Sequence, residues 1–408
     1  MRPASCGLNH DPKPLSPFVF VGHGCTRMPS GRLLAQSHAG LQLGRAVFRG
    51  MAIMVGLSLV VALLFQRHGV ERHGLEALEG EELMVGAWLG DWPTDSRPLI
   101  DEFEDEYGVK LDLVDVFIDY YTPFANVSHT IEHIAARGAL PMLSWDPHGF
   151  TTVDIADSTK EVWLRNGEKM TLAAYLDSFA EGLCSVAKKT EQPILLRTLH
   201  EMNGFWYTWG QAWEAKDGSR PNTDDNYRRA WIRIHDAVER HCSQGVLFVW
   251  ATNHYSVGKG ASFTGTYPGD AYVDFAAIDG YNWGGHADWG WQTFDKIFHD
   301  PYCAVTKASS KPILIAELSS TEKGGDKAEW IRETLAGFRN GKYPEVRGFV
   351  WFNDDKFEVE INGRMDWPLD SSPIAKAAFR ETVAGLDPPQ DASSETEPAA
   401  KPVCVVAR

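Results

Sequence analysis

Thr171-Leu-Ala-Ala-Tyr-Leu-Asp-Ser-Phe-Ala-Glu-Gly-Leu-Cys-Ser-Val-Ala-Lys188, then Gln192-Pro193, then Ile194-Leu-Leu-Arg-Thr-Leu199, is the stretch that decides the fold. In its first part Leu172, Tyr175, Leu176, Phe179, Ala180, Leu183, Val186 and Ala187 recur every three or four residues. That period puts them on one face of a helix. The Gln-Pro pair ends the pattern, because proline has no N–H and pushes its predecessor toward extended backbone. The apolar run beyond it has the length of a buried strand.

The rest of the chain repeats this theme. Apolar runs occur at Leu83–Trp88, Leu111–Phe117, Ala139–Trp145, Ile194–Leu199, Val246–Ala251, Phe275–Tyr281, Ile313–Glu317 and Gly348–Phe352. Helical segments separate them, such as Asn226–His241, with Tyr227, Ala230, Trp231, Ile234 and Val238 on one face. Turn signals at Ser243-Gln244-Gly245 and Lys311-Pro312 precede two of the runs. Eight strand-then-helix units in roughly 300 residues predict an α/β fold of the (β/α)8 TIM-barrel kind rather than an open sheet. No G-x-G-x-x-G follows the first run, which argues against dinucleotide binding. In such barrels chemistry gathers where the strands end.

The predicted barrel spans 80–386, with flanking regions of other character. Residues 1–45, rich in Gly, Pro, Ser and basic residues, read as disordered. Met51–Phe65 is apolar and uncharged, with Arg45 and Arg49 before it. It is short for a spanning helix, which needs about 20 residues. Extended through Ala46, Val47 and Phe48 it forms a signal anchor over 46–66, and Gln66-Arg67-His68 offers no A-x-A-like cleavage site. The expected outcome is an uncleaved membrane anchor with the basic flank inside and the barrel outside the cytoplasm, periplasmic or extracellular. Cleavage would instead give a secreted protein, and Met28 or Met51 offers an alternative start. Residues 387–408 read as a disordered acidic tail.

Composition narrows the partners. A net charge of −16 gives a nucleic-acid phosphate backbone little to bind. Many of the 15 tryptophans fall near predicted strand ends, where indoles often simply pack but where flat faces at a cleft also suit the apolar faces of sugar rings. Cys6, Cys25, Cys184, Cys242, Cys303 and Cys404 show no C-x-x-C and no zinc spacing, so no metal and no cofactor are expected. Cys184 and Cys242 each fall late in a predicted helix, the two helices being neighbours, and a disulfide between them stays open as a pairing for an oxidising compartment.

The fourth predicted strand runs on into His200-Glu201-Met202-Asn203-Gly204-Phe205-Trp206-Tyr207-Thr208-Trp209. Strict alternation along it puts Arg197 and Glu201 on one face. The seventh, otherwise apolar, ends on Glu317. A buried ionised carboxylate needs a partner, and Arg197 is the available cation. A structural ion pair is the alternative use of the same residues. The fourth and seventh strands face each other across a barrel mouth, so the two glutamates can flank one glycosidic bond. Retaining hydrolysis asks for an ionised nucleophile and a protonated acid. Arg197 would hold Glu317 ionised, while His200, Trp206 and Trp209 give Glu201 a less polar setting that keeps its proton. Glu201 is thus read as acid/base and Glu317 as nucleophile.

Arg197-x-x-His200-Glu201-Met202-Asn203-Gly204-x-Trp206 closely resembles the acid/base motif of glycoside hydrolase family 26, a β-mannanase family with glutamates on strands four and seven. The likeness extends through Asp279-Gly280-Tyr281-Asn282-Trp283, Ile315-Ala316-Glu317 and Trp351-Phe352-Asn353. It implies that Arg197 and His200 orient the catalytic groups, that Tyr281 hydrogen-bonds Glu317, and that Trp206 and Trp351 line the subsites. From the end of strand three, Trp145 and His148 are further sugar-contact candidates, against a reading in which Asp146-Pro147 merely sets a turn. Trp88, Trp92, Trp283, Trp289 and Trp291 are possible stacking platforms, Asn253-His254 a polar cleft wall, and Asp366-Trp367 is left without a role.

The expected activity is endo-hydrolysis of β-1,4-mannan by a monomer. An endo-β-glucanase acting on mixed-linkage glucan or a bacterial exopolysaccharide is the nearest rival, since fold does not fix substrate. A non-hydrolytic sugar-binding barrel and a metal-dependent hydrolase are the readings from other classes. The first lacks the usual loss of a carboxylate, the second a ligand cluster.

Overall fold

A computed structural model describes residues 74, 77, 78, 80, 82–90, 97–358, 361–386 and 404. The segments read as disordered N-terminus (1–45) and anchor (46–66) lie outside these, as do 387–403 and 405–408 of the tail. Among the described residues no helix is long and apolar enough to cross a membrane.

Eight parallel strands close into a barrel: β1 (Met84–Trp88), β2 (Leu113–Asp119), β3 (Leu140–Asp146), β6 (Ile194–Thr198), β7 (Val246–Asn253), β8 (Phe275–Asn282), β9 (Ile313–Ser320) and β10 (Val346–Phe352). Two small hairpins, β4–β5 (Glu161–Trp163 with Lys169–Thr171) and β11–β12 (Phe357–Glu358 with Gly363–Arg364), stand outside it. The surrounding helices are α1 (Arg97–Tyr107), α2 (Ser128–Ala136), α3 (Thr152–Asp157), α4 (Leu172–Thr190), α5 (Asp224–Glu239), α6 (Phe294–Ala308), α7 (Lys327–Arg339) and α8 (Pro373–Val383). Each apolar run predicted from sequence corresponds to one barrel strand.

Local chemistry sets where the helices begin. Thr171, Thr223 and Thr293 cap α4, α5 and α6, each side chain accepting from the backbone N–H three residues on. Ser372 caps α8, and Pro373 occupies its first turn, where no N–H is needed. Alternation then sorts the strand residues into two layers. Leu140, Met142, Leu195, Leu314, Val350 and Phe352 fill the barrel interior. Leu143, Trp145, Leu196, Ile278, Ile315 and Trp351 pack outward against the helices.

One irregularity matters for the site. Ile278 pairs with Ile315, but Asp279 pairs with Glu317, so β9 carries one extra residue at this point. A bulge of this kind re-aims the side chains that follow it. Ala316 lies in the inner cluster and Leu318 in the outer one. Glu317 therefore turns inward directly after Ala316, instead of falling outward with Ile315 as strict alternation would have it.

Two disulfides brace the shell, Cys184–Cys242 between α4 and the residues just past α5, and Cys303–Cys404 between α6 and the C-terminal region. The second was not anticipated in the acidic tail, which is covalently held at Cys404.

Candidate active site

Arg197 is completely buried in the barrel. Its Nη2 donates to Asp279 Oδ2 at 2.7 Å and to Glu317 Oε1. Its Nη1 donates to Ser144 Oγ at 2.8 Å and lies 3.5 Å from Asp115 Oδ2. Ser144 in turn donates to Asp115 at 2.8 Å. Strand register assembles this group, since Ser144 sits beside Arg197 in one pair of strands and Asp279 beside Glu317 in another. Burial alone would lower the Arg197 pKa, but Asp279, Glu317 and Asp115 raise it well above its ordinary value. Three carboxylates share this one guanidinium, so they do not all carry full charge. Burial pushes Asp115 up to about 7 and Asp279 well above the usual carboxylate range, against the opposing pull of Arg197. The Tyr281 hydroxyl donates to the other Glu317 oxygen, Oε2. Both oxygens of Glu317 thus face a donor.

Glu201 is placed by different means. Strand β6 ends at Thr198, and both Leu199 and Glu201 adopt φ of +51°. The expected strand alternation from Arg197 to Glu201 therefore does not hold, because left-handed residues break it. This backbone is costly for non-glycine residues and is held by its surroundings. Glu201 N donates to Ala251 O at 3.0 Å, Tyr227 Oη to Leu199 O at 2.9 Å, and Trp209 Nε1 to His200 O at 2.7 Å. The carboxylate accepts from Asn253 Nδ2 on Oε1 and from Trp206 Nε1 on Oε2, both at 2.7 Å. Asn203 fixes Asn253 by accepting from its N–H at 2.8 Å and donating to its carbonyl at 2.9 Å. Burial, and next the Glu317 charge, push Glu201 up to about 7, while Asn253, Arg197 and Trp206 pull the other way. At neutral pH this group holds its proton much of the time.

His200 is buried, with Nε2 at 3.2 Å from Tyr207 Oη. Its Nδ1 is 3.3 Å from Asp146 Oδ1 but out of line for a hydrogen bond. Burial, then Arg197, hold its pKa well below normal, so it is a neutral ring packed beside Glu201. His148 lies at the rim, Nε2 3.5 Å from Asp146 Oδ2, and its pKa is raised first by that contact. Trp206 is 39% exposed while its indole N–H holds Glu201, and its six-membered ring packs against Gly204.

Two candidates are corrected. Trp145 is 1% exposed and points outward, stacked on Phe179 at 3.7 Å with Nε1 donating to Tyr175 Oη. Trp351 is fully buried in the outer layer, with Nε1 donating to Trp367 O at 3.0 Å. Neither reaches the cleft, because each occupies the outward parity of its strand. At the end of β10 the inward aromatic is Phe352, which packs on Tyr281 at 5.7 Å and on Trp88 at 6.1 Å. Of the proposed platforms, Trp289 is exposed, Trp283 and Trp291 are half-buried, Trp88 is buried, and Trp92 lies outside the described residues. Asp115, Ser144, Asp279, Asp146, Tyr207 and the grip of Asn253 on Glu201 were missed. The available signal was polarity out of place, as with a lone Asp inside Leu113-Val-Asp-Val-Phe117.

A closed parallel barrel with one carboxyl past its fourth strand and another on its seventh, the latter backed by a buried guanidinium, defines a (β/α)8 protein with a two-carboxylate site. Residues 106–343 match the model of glycosyl hydrolase family 26, and the chain belongs to that family. It is 37% identical over 355 residues to endoglucanase H of Acetivibrio thermocellus, covering 86% of this chain and 35% of that protein. It is 33% identical over 219 residues to a mannan endo-1,4-beta-mannosidase of Bacillus subtilis, covering 51% of this chain and 53% of that protein. The chain thus spans about a third and about half of these relatives' lengths. Among solved structures, Bacillus subtilis mannanase man26 aligns with a TM-score of 0.50 at 19% identity, covering 74% of this chain and 86% of that one. A Cellulomonas fimi endo-beta-1,4-mannanase double mutant aligns at 0.50 and 18% identity, covering 78% and 75%. Those two likenesses speak to the fold.

Proposed function

We propose that this chain is a retaining endo-glycosidase that hydrolyses β-1,4-mannosidic bonds in mannan-type polysaccharides, with Glu317 as nucleophile and Glu201 as acid/base. The observation that carries this is the unequal environment of the two carboxyls. Glu317 faces a guanidinium and a phenol, whereas Glu201 is buried and pushed up to about 7. In the first step a Glu317 oxygen attacks the anomeric carbon while the bond to the leaving oxygen breaks and Glu201 gives that oxygen its proton. In the second, Glu201 takes a proton from water, which attacks the glycosyl–enzyme and frees Glu317. Trp206, partly exposed beside Glu201, suits contact with the sugar on the leaving side, and His148 the rim.

Several relatives named mannan endo-1,4-beta-mannosidase support mannan as substrate. A second reading, endo-hydrolysis of β-glucan, is favoured by the 37% identity to endoglucanase H over 86% of the chain. Reducing-end release from mannan, galactomannan, barley glucan and xylan tests both, with Glu317→Ala as control. Mannan cleavage that disappears in the variant supports the first reading. Cleavage confined to barley glucan replaces it with the second, and undiminished hydrolysis by Glu317→Ala removes the nucleophile assignment.

Export also belongs to the proposal. Two disulfides form most readily in an oxidising compartment, and the apolar, charge-free run at 51–65 suits membrane anchoring of a monomeric enzyme. Cell fractionation with thiol alkylation tests this. Membrane-bound protein whose Cys184, Cys242, Cys303 and Cys404 resist alkylation is expected, and cytoplasmic protein with those four freely alkylated refutes it.

A further inference from the structure

The Asp366-Trp367 stretch has no place in the mechanism, yet it is the most heavily tethered turn near Glu317. Lys327, the first residue of α7, is fully buried. Its Nζ donates to Asp366 O at 2.6 Å, Pro368 O at 2.8 Å, Ser371 Oγ at 2.9 Å and Trp367 O at 3.2 Å. The Asp366 carboxylate accepts from Thr321 Oγ1 at 2.5 Å and from Glu322 N at 2.9 Å, just beyond the end of β9. Ser319, two residues past Glu317, donates to Trp367 O at 2.9 Å. The clasp therefore ties the turn after β10 to the strand that carries Glu317. Its product is the position of the Trp367 ring, 5.1 Å from the Tyr281 ring. Tyr281 is the residue whose hydroxyl donates to Glu317.

A lysine is a poor choice for this place on stability grounds alone. A buried ammonium is costly, and a cation at a helix N-terminus opposes the helix dipole. Among the described residues no carboxylate lies within salt-bridge distance of its Nζ. Asp366, Glu322 and Asp370 supply charge only at longer range. What the site gains is a fixed donor that gathers successive carbonyls.

Resting on the retaining mechanism above, we propose that Lys327 is a positioning residue for that reaction. Its ammonium clasps the 366–371 turn so that Trp367 backs Tyr281 and keeps the phenol on Glu317. Burial brings Lys327 down to about 8, partly offset by Asp366, Glu322 and Asp370. As pH rises through that value the amine loses an N–H while all its acceptors remain, and the clasp loosens.

The test uses the full chain and a 2,4-dinitrophenyl β-glycoside of the sugar that the wild type accepts. Dinitrophenolate leaves without acid help, so the first step no longer depends on the Glu201 proton. The dinitrophenolate burst counts active sites. For Lys327→Met the first-step rate per active site should fall about ten- to a hundredfold, the scale of a small misplacement of reacting groups, with the Kd that governs the first step little changed. Lys327→Arg should recover part of it. The wild type should lose first-step rate above about pH 8, a limb that Lys327→Met lacks. A Lys327→Met rate within twofold of wild type per active site overturns the proposal, as does a wild-type profile flat through pH 8. The wild-type profile decides alone if Lys327→Met does not fold. Once the intrinsic base-catalysed rise with pH is divided out, hydrogen-exchange protection at residues 366–371 should fall over the same pH range in the wild type, and protection that stays constant through pH 8 would also overturn the clasp. A wild type inactive on every glycoside defeats the functional reading instead, while the exchange measurement still judges the clasp.

Discussion

The ends of β6 and β9 hold chemically identical side chains by opposite strategies. Glu317 stays within regular strand, and one bulge at Ala316 turns it inward onto a charged partner. Glu201 lies beyond its strand on strained backbone, and its carboxyl is held only by neutral donors, Asn253 and Trp206. A guanidinium contact stabilises negative charge, whereas burial with neutral donors leaves a proton affordable near neutrality. The acid keeps its proton because burial and the neighbouring Glu317 charge outweigh its neutral donors, whereas the nucleophile meets a cation directly.

The largest test of this comparison is Glu317→Ala. Without a nucleophile kcat should fall by at least about 10⁴-fold, on the scale of removing a covalent nucleophile. Azide should restore turnover with inverted product, since the small anion occupies the vacated face. Retained configuration in the rescued product would show that the roles are misassigned. Glu201→Ala should behave differently, losing about 10²- to 10⁴-fold on polysaccharide, as for a missing general acid. On a dinitrophenyl glycoside its first step should remain near the wild-type rate. An equal loss on both substrates would erase the distinction between the two carboxyls.

The two ends also differed in how legible they were. All eight apolar runs became barrel strands, because burial on both faces leaves a continuous apolar signature. The Arg197–Glu317 pair was legible too, since one buried charge demands another. Parity near the strand ends was harder to read. Trp145 and Trp351 look like cleft residues in a linear string, but alternation from Met142 and Val350 sends them outward. The bulge at Ala316 and the positive φ at Leu199 and Glu201 carry no glycine or proline to announce them. They arise from tertiary contacts such as Tyr227 to Leu199 O, formed between residues 28 apart. Asp115 and Ser144 went unnoticed because their purpose exists only once barrel closure brings Arg197 on β6 beside Ser144 on β3 and within reach of Asp115 on β2.

The smallest expected effects fall on tryptophans, and they sharpen the Glu201 side. Trp206→Phe keeps an aromatic face and removes the N–H on Glu201 Oε2. That bond favours the ionised carboxylate and holds the Glu201 pKa down. The sign follows directly: without it the pKa rises, so on polysaccharide the alkaline limb near pH 7 should move to higher pH. At pH 6, below that limb, Glu201 already holds its proton in both proteins, so hydrolysis there should change by only about a few-fold. Trp145→Phe is the matched control. It should leave the limb and kcat/KM within about twofold while lowering stability by roughly 1–3 kcal/mol, as a core truncation, read from denaturant unfolding. If Trp145→Phe moved the pH limb and Trp206→Phe did not, Glu201 would owe its proton to the outer packing of β3. The indole at the mouth would then be a sugar platform without influence on the acid.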